Sequence, residues 1–250
     1  MTMLISEYMK QFPRVGVAFS GGVDSSYLLF AVKDAGCDVR AYFVKSQFQP
    51  QFELDDAVRL AGSIGVPLTV THLDVLCDPI IAGNPPDRCY RCKSIILSRI
   101  RELAAADGIT ILCDGTNADD DESDRPGMRA QKEHGILSPL RECGLKKDDI
   151  RRLSLEAGLF THDKPSYACL ATRVPTGTEI TNDVLERIER AEQSLFEMGF
   201  LDFRVRCTPQ SGARLQMTAE WWDIAAARRS EILAALRPDF GAVMLDLELR

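Results

Sequence analysis

No apolar run in the 250 residues reaches the ~18 needed to cross a bilayer. The opening stretch MTMLISEYMKQFPRVGVAFSGG lacks a basic start, an apolar block and a small-residue cleavage site. A cytoplasmic protein without a membrane association is the expectation. Positive charge is also short: 30 Lys and Arg against 37 Asp and Glu give a net charge of −7, with a pI near 5.1. That balance argues against a large nucleic-acid footprint, although it leaves room for a local basic groove. There is no internal repeat and no low-complexity tract, and DDDESD (119–124) reads as an acidic loop. Neither a Walker A sequence nor the G-x-G-x-x-G of dinucleotide binders occurs.

What is present is ordinary globular material, 45% hydrophobic and 27% charged, long enough for one large domain or two modest ones. Strand-like and helix-like stretches alternate through the first part. VGVAF (15–19), VRAYFVKS (39–46), PLTVTHLDV (67–75) and ITILCDG (109–115) read as strands. SSYLLFAVKDAG (25–36), ELDDAVRLAGSIG (53–65) and CKSIILSRIRELAAADG (92–108) read as helices, each ending at a glycine. This alternation predicts an α/β fold with a doubly wound parallel sheet covered on both faces, whose ligand sits at the carboxyl ends of its strands. The pattern then changes. PSYACLATRVPTGTEIT (165–181) is a punctuated loop, followed by a helix at 182–199, strands at 203–207 and 213–217, a helix at 219–237 and a strand at 242–248. We therefore expect a first domain over 1–163 and a smaller α+β domain over 164–250.

The most informative stretch is SGGVDSS, namely Ser20, Gly21, Gly22, Val23, Asp24, Ser25 and Ser26, between a strand and a helix. Glycines let backbone approach a phosphate, while hydroxyls and helix N-terminal N–H groups donate to it. Asp24 would repel a bare phosphate, which suggests a bridging Mg²⁺. A glycine turn with a serine cap is the plain alternative. Of the eight cysteines, Cys37, Cys77, Cys113, Cys143 and Cys207 stand singly, and buried inert thiols are the default for them. Cys89 and Cys92 form a C-x-x-C in RCYRCK (88–93), open to metal, redox or no role.

The Ser-Gly-Gly-x-Asp-Ser string resembles the PP-loop of the ATP pyrophosphatases, of adenine nucleotide alpha hydrolase-like fold. The resemblance implies that ATP is cleaved between its α and β phosphates, with AMP passed to an acceptor and Asp24 helping to hold Mg²⁺–pyrophosphate. NPPDRCYRCK (84–93), GTNADD (115–120), RPGMRA (125–130), SPL (138–140), KPSYACLATRVPTG (164–177) and RVR (204–206) match, in order, the LarE-type ATP-dependent sacrificial sulfur transferases. That resemblance implies adenylation and thiolation of a carboxylate of a pyridinium dicarboxylate mononucleotide, towards a nickel-pincer cofactor, by a hexamer. It places the sulfur-carrying cysteine at Cys169, a phosphate-contacting lysine at Lys93, and the substrate's 5′-phosphate at Arg204 and Arg206. Those two arginines alternate on a strand and share a face; solvent-facing arginines are the alternative. Arg173, four residues beyond Cys169, would favour a thiolate if close in space. Asn117 and Asp119 lie in a loop after a strand's carboxyl end, where turn chemistry competes with a ligand role. There are two departures: Cys207 stands where histidine is usual, and Gln216 where the family commonly has a glutamate of a C-terminal metal or oligomer contact, whose other acids are matched by Glu192 and Asp223, so that the departure argues against a metal there.

The family has a lone-cysteine form, which sacrifices its own sulfur, and a three-cysteine form holding a [4Fe–4S] cluster. Cys89, Cys92 and Cys169 match the second, since three thiolates leave one iron open. A structural Zn²⁺ would want four ligands, and only His162 lies near Cys169 in sequence, with His72 and His134 outside the motifs. A redox or persulfide pair also remains open. The expectation is an ATP- and Mg²⁺-dependent sulfurtransferase with a small nucleotide substrate. A PP-loop tRNA thiolase and a non-catalytic nucleotide-binding regulator are the alternatives.

Overall fold

A computed structural model describes residues 4–120, 126–208 and 212–250. Arg125 of RPGMRA, and the part of DDDESD beyond residue 120, lie outside the described residues. In chain order the elements are α1 (Ile5–Met9), β1 (Arg14–Ala18), α2 (Val23–Asp34), β2 (Asp38–Lys45), α3 (Gln51–Ser63) and β3 (Leu68–His72). Next come α4 (Pro79–Ala82), α5 (Arg88–Ala106), β4 (Leu112–Asp114), α6 (Pro126–Glu133), α7 (Pro139–Glu142) and α8 (Lys147–Glu156). A 3₁₀ turn at Leu170–Arg173 precedes α9 (Asn182–Glu197), β5 (Phe203–Cys207), β6 (Ala213–Met217), α10 (Ala219–Ala227), α11 (Arg229–Leu236) and β7 (Val243–Leu245). Contacts divide the chain into two units. The first comprises Met1–Ser46, Gln51–Leu73 and Asp87–Lys164, and the second Gln47–Pro50, Asp74–Pro86 and Pro165–Arg250.

The first unit holds a parallel sheet ordered β3-β2-β1-β4. Strands β1, β2 and β4 are buried on both faces, whereas the edge strand β3 is half-buried, with Val70 and His72 exposed. On β2, Ala41 and Phe43 enter the core built with α2 and α3, while Tyr42 and Val44 enter the core that takes Leu97, Ile100 and Ala104 of α5. This is the two-sided burial expected when helices cross between parallel strands. Strand order runs outward from β1 to β3 on one side and places β4 on the other. The chain therefore leaves β1 and β4 in opposite directions, which opens a crevice at their carboxyl ends.

The second unit has a mixed sheet ordered β5-β6-β7, with β5 antiparallel and β7 parallel to β6. Phe200, Phe203, Leu215, Met217 and Phe240 fill its interior. A segment from earlier in the chain is stitched into it at Asn84, which is buried and sits at φ 52°, a region asparagine tolerates better than most residues. Its Nδ2 donates to the carbonyls of Val174 (3.3 Å) and Pro175 (2.9 Å), and its own carbonyl accepts from Gly177 N (2.8 Å).

Three local expectations need correction. The helix read from residue 92 begins at Arg88: Pro85 and Pro86 end before it and Asp87 ties the first turn through Arg91 Nε at 2.8 Å, so both C-x-x-C residues are helical. The helix read over 219–237 is two, parted at Arg228 (φ −92°, ψ 20°). There the guanidinium donates to the Met198 carbonyl at 2.8 Å and stacks 5.1 Å from the Phe200 ring, which anchors the chain at the break. Cys37, Cys113 and Cys143 are buried, but Cys77 is exposed and Cys207 only half-buried. Cys77 follows β3 in a turn that faces solvent and donates its thiol to the Asp74 carbonyl at 3.0 Å.

Candidate functional site

The crevice of the first unit is shaped by two glycines. Gly21 adopts φ +73°, and a Cβ there would lie 2.7 Å from the Glu53 carbonyl oxygen. At Gly115, just past β4, a Cβ would lie 2.7 Å from Ser25 N. Side chains larger than hydrogen are excluded at both, so backbone lines the corner. Ser20 Oγ and Ser25 Oγ lie 3.0 Å apart, and Ser25 Oγ donates to the Gly22 carbonyl at 3.2 Å, which sets the turn entering α2. Val23 starts that helix, so its N-terminal N–H groups face the same corner.

Two buried polar atoms here have no hydrogen-bond partner, Asp24 Oδ1 and Ser26 Oγ. The other Asp24 oxygen accepts from Lys147 Nζ at 2.7 Å. A buried orphan carboxylate oxygen is costly unless something completes it. A hard divalent cation prefers oxygen donors of this kind, so the residues fit Mg²⁺ beside a phosphate chain. The lysine is placed in turn by Asp119, whose Oδ2 accepts the Lys147 N–H at 2.8 Å at the start of α8. Asn117 is buried and its Oδ1 accepts from Asp119 N at 2.8 Å, so both loop residues make turn bonds. Lys164 donates to the Gly21 carbonyl (3.1 Å) and to Asp56 (2.6 Å), closing the other side.

Lys147, Lys164 and Asp56 carried no role in the sequence reading. Neither did Asp114, which is buried and accepts from Thr116 N (3.1 Å), Thr116 Oγ1 (3.1 Å), Ser138 Oγ (2.9 Å) and Gln131 Nε2. That network holds the Gly115 loop against α2. Only its position at the end of β4 could have signalled it.

Cys89 and Cys92 occupy the first turn of α5, Cys89 exposed and Cys92 buried. Three residues apart on a helix, they share a face. Gly127 of α6 packs against this turn, with the position of its missing Cβ 3.5 Å from Cys89 Sγ and 3.9 Å from Lys93 Cγ. Lys93 is half-buried on the same helix. None of the eight cysteines is disulfide-bonded. Among the described residues, no group of three His, Cys, Asp or Glu side chains is gathered to hold a metal ion.

The second unit places Cys169, half-buried, at the head of the 3₁₀ turn. Its carbonyl accepts from Thr172 N (3.0 Å) and Thr172 Oγ1 (2.8 Å). The loop around it rests on the two strand arginines. Arg204 donates to the Ser166 carbonyl at 2.9 Å and Arg206 to the Thr172 carbonyl at 2.9 Å. Burial pulls the Arg204 guanidinium down to about 10, with the neighbouring Arg173 charge adding to the effect. Burial and then Arg173 lower Arg206 as well. Such a surplus of desolvated positive charge, held by neutral partners, suits an anion. Gln216 supplies one of those partners, accepting from Arg206 Nε at 2.9 Å. Arg173 itself is buried and paired with Glu192 (Nε–Oε1 2.8 Å). Burial opposes its charge, but the Glu192 hydrogen bond and carboxylate outweigh that, and the Cys169 sulfur lies within electrostatic range.

Residues 13–121 match the tRNA methyl transferase HUP domain family. The chain is 37% identical to the pyridinium-3,5-bisthiocarboxylic acid mononucleotide synthase of Lactiplantibacillus plantarum, over 79% of this chain and 72% of that one. An uncharacterised Synechocystis protein is 36% identical over 86% of this chain and 81% of its own length. A tRNA-specific 2-thiouridylase of Pseudothermotoga lettingae is 27% identical, over 60% of this chain and 54% of the relative.

Proposed function

Since the chain belongs to the LarE family of PP-loop sulfur transferases, we propose that it adenylates and then thiolates a carboxylate of pyridinium-3,5-biscarboxylic acid mononucleotide, a step towards a nickel-pincer cofactor. The observation that carries the ATP half is the corner between β1 and β4, where two glycines clear the backbone and Asp24 Oδ1 and Ser26 Oγ are left without partners. Ser20 to Ser26 cradle the phosphates, Lys93, Asn117 and Asp119 border the nucleotide, and Asp24 is the ligand for Mg²⁺. When bound, the cation offsets the charge of the departing pyrophosphate.

The substrate's 5′-phosphate is held by Arg204 and Arg206, beneath the loop that carries Cys169. A free carboxylate is a poor acyl electrophile; as the acyl adenylate it has AMP as leaving group. Sulfur at Cys169 displaces that AMP: a C–S bond forms, the C–O bond to the nucleotide breaks, and its electron pair leaves on the phosphate. When the sulfur is the cysteine's own, the thioester then loses the Cys169 Cα proton to a base and its Cβ–S bond breaks, which releases the thiocarboxylate and leaves dehydroalanine. Arg173 contributes positive charge near the sulfur. Cys89 and Cys92, on one helical turn, join Cys169 in the three-cysteine reading, in which a [4Fe–4S] cluster would carry extra sulfide and allow repeated turnover. The first unit supplies ATP chemistry and the second sulfur transfer, in a cytoplasmic homo-oligomer.

The test is AMP release with the pyridinium dicarboxylate mononucleotide against nicotinate mononucleotide and tRNA, with mass spectrometry of the product. Release and thiolation with the dicarboxylate alone support the reading. The thiouridylase similarity favours tRNA as a second acceptor, and tRNA thiolation would replace the first reading. ATP binding without AMP release under any condition would leave a nucleotide-binding regulator. Iron and sulfide analysis after anaerobic reconstitution addresses the cluster, which fails if no iron binds or if Cys89→Ala keeps multiple turnovers.

A further inference from the structure

Glu192 matches an acid of the C-terminal metal or oligomer contact, yet its surroundings give it different work. It is 1% exposed on α9, and its carboxylate accepts four hydrogen bonds. Oε1 takes Arg173 Nε (2.8 Å) and Val205 N (2.8 Å); Oε2 takes Arg173 Nη2 (3.0 Å) and the Tyr167 hydroxyl. These use the acceptor capacity of a carboxylate. They also reach two places at once. Through Arg173, whose Nη1 donates to the Ala168 carbonyl and to Thr172 Oγ1 at 2.8 Å each, the carboxylate grips the peptide that enters Cys169 and the Thr172 side chain of the same turn. Through Val205 it grips the strand residue between Arg204 and Arg206.

We infer that the buried Arg173–Glu192 pair is a brace, with Glu192 the positioning residue that sets the reach between the Cys169 sulfur and the anion site at Arg204 and Arg206. This rests on the sulfur-transfer reading above and adds to it. A substrate anchored by its phosphate has a fixed radius over which its carboxyl carbon can meet sulfur, so the distance between the two points must be rigid. A buried bidentate pair gives that rigidity, because losing either partner strands a charge. The Tyr167 ring, with the Arg173 and Arg204 guanidiniums 4.5 and 5.5 Å from its centroid, fills the space between.

The test uses the full chain and nicotinate mononucleotide as probe. In the wild type the nucleotide, held at the arginines, should slow iodoacetamide modification of Cys169, read by site-resolved mass spectrometry. Absence of protection there would break the anion-site reading itself. Given protection, Glu192→Ala should lose it while nucleotide affinity by calorimetry shifts less than about threefold, and thiolation should slow about 100-fold, as expected for a displacement near 1 Å. Glu192→Gln keeps Oε1 for Arg173 and Val205, and should retain about a tenth of wild-type thiolation. Equal losses in the Gln and Ala variants, or full protection in the Ala variant, would overturn the brace and make Glu192 a charge-dependent ligand. Should Glu192→Ala fail to fold cooperatively, Tyr167→Phe decides. It removes one bond to the carboxylate, and an unchanged ratio of thiolation rate to nucleotide affinity would overturn the proposal.

Discussion

On the proposed function, the glycine corner of the first unit and the arginine face of the second would recognise anions in opposite ways. The corner is built from backbone and leaves polar atoms open: Asp24 Oδ1 and Ser26 Oγ have no partner. On the arginine face the polar groups are occupied instead, with Glu192 accepting four bonds and both arginines held by carbonyls or an amide. An open corner is completed by what binds it, which suits a metal-bound phosphate chain that enters and leaves. The filled face is organised in advance, which suits holding one phosphate while a bond forms elsewhere. The contrast predicts that damage to the corner acts on pyrophosphate release, and damage to the arginine unit on sulfur transfer.

The strongest separation should come from Cys169→Ala. Thiolated product should fall by about 10⁴-fold or more, the loss expected when a nucleophile is removed outright, while the first turnover still yields pyrophosphate and leaves AMP bound as the acyl adenylate. Loss of pyrophosphate release in this variant would merge the two regions functionally and sink the division of labour. Next is Asp24→Asn, which removes both the metal-facing charge and the Lys147 ion pair. AMP release should drop about 10² to 10³-fold, and added chelator should do the same to the wild type. The alkylation rate of Cys169 should stay as it was, measured by the same mass spectrometry.

Gly115→Ala is a finer probe of the corner. Its Cβ would meet backbone, Ser25 N at 2.7 Å and Ser25 Cα at 2.9 Å, and neither can swing aside. We expect about 1–3 kcal/mol of destabilisation, the usual cost of overpacking, and a raised KM for ATP with KM for the mononucleotide unchanged. Denaturant unfolding and initial rates check both halves. An alanine accepted at no cost would show that the β4 loop does not press on α2.

How far each region could be read from sequence follows from its construction. The corner is nearly contiguous: Ser20 to Ser26 lie in one run after an apolar strand, so local pattern and strand order sufficed to place them. Lys147 and the Asp114 network were not legible, because their partners are 123 residues away at Asp24 and 17 to 24 residues away at Gln131 and Ser138. On the arginine face, the alternation of Arg204 and Arg206 along β5 was visible. Their burial was not, since it depends on the loop of Ser166 and Thr172 lying across them. Glu192 shows the sharper limit: its sequence match pointed only to one acid of a family metal or oligomer contact that Gln216 leaves incomplete, while its tertiary neighbours are a guanidinium, a phenol and a backbone amide. The α10–α11 break escaped for a similar reason, as Arg228 is held by Met198 and Phe200 from elsewhere in the unit.

The smallest expected effect tests whether occupancy on the arginine face is tuned. Gln216 offers Arg206 a neutral oxygen at 2.9 Å; Gln216→Glu would offer a carboxylate of the same length. The new ion pair should favour the charged guanidinium, against the burial that now lowers it. For a half-buried pair the gain in stability should be about 0.5–1 kcal/mol. The same pair would compete with the substrate's phosphate for Arg206. Mononucleotide affinity should therefore weaken about fivefold, or about 1 kcal/mol, while Cys169 alkylation without ligand stays constant. Thermal unfolding reads the first effect and calorimetric titration against nicotinate mononucleotide the second. Tighter binding in Gln216→Glu would mean that the carboxylate orients Arg206 towards the phosphate instead of competing with it, and the neutral partner would then be no part of the tuning.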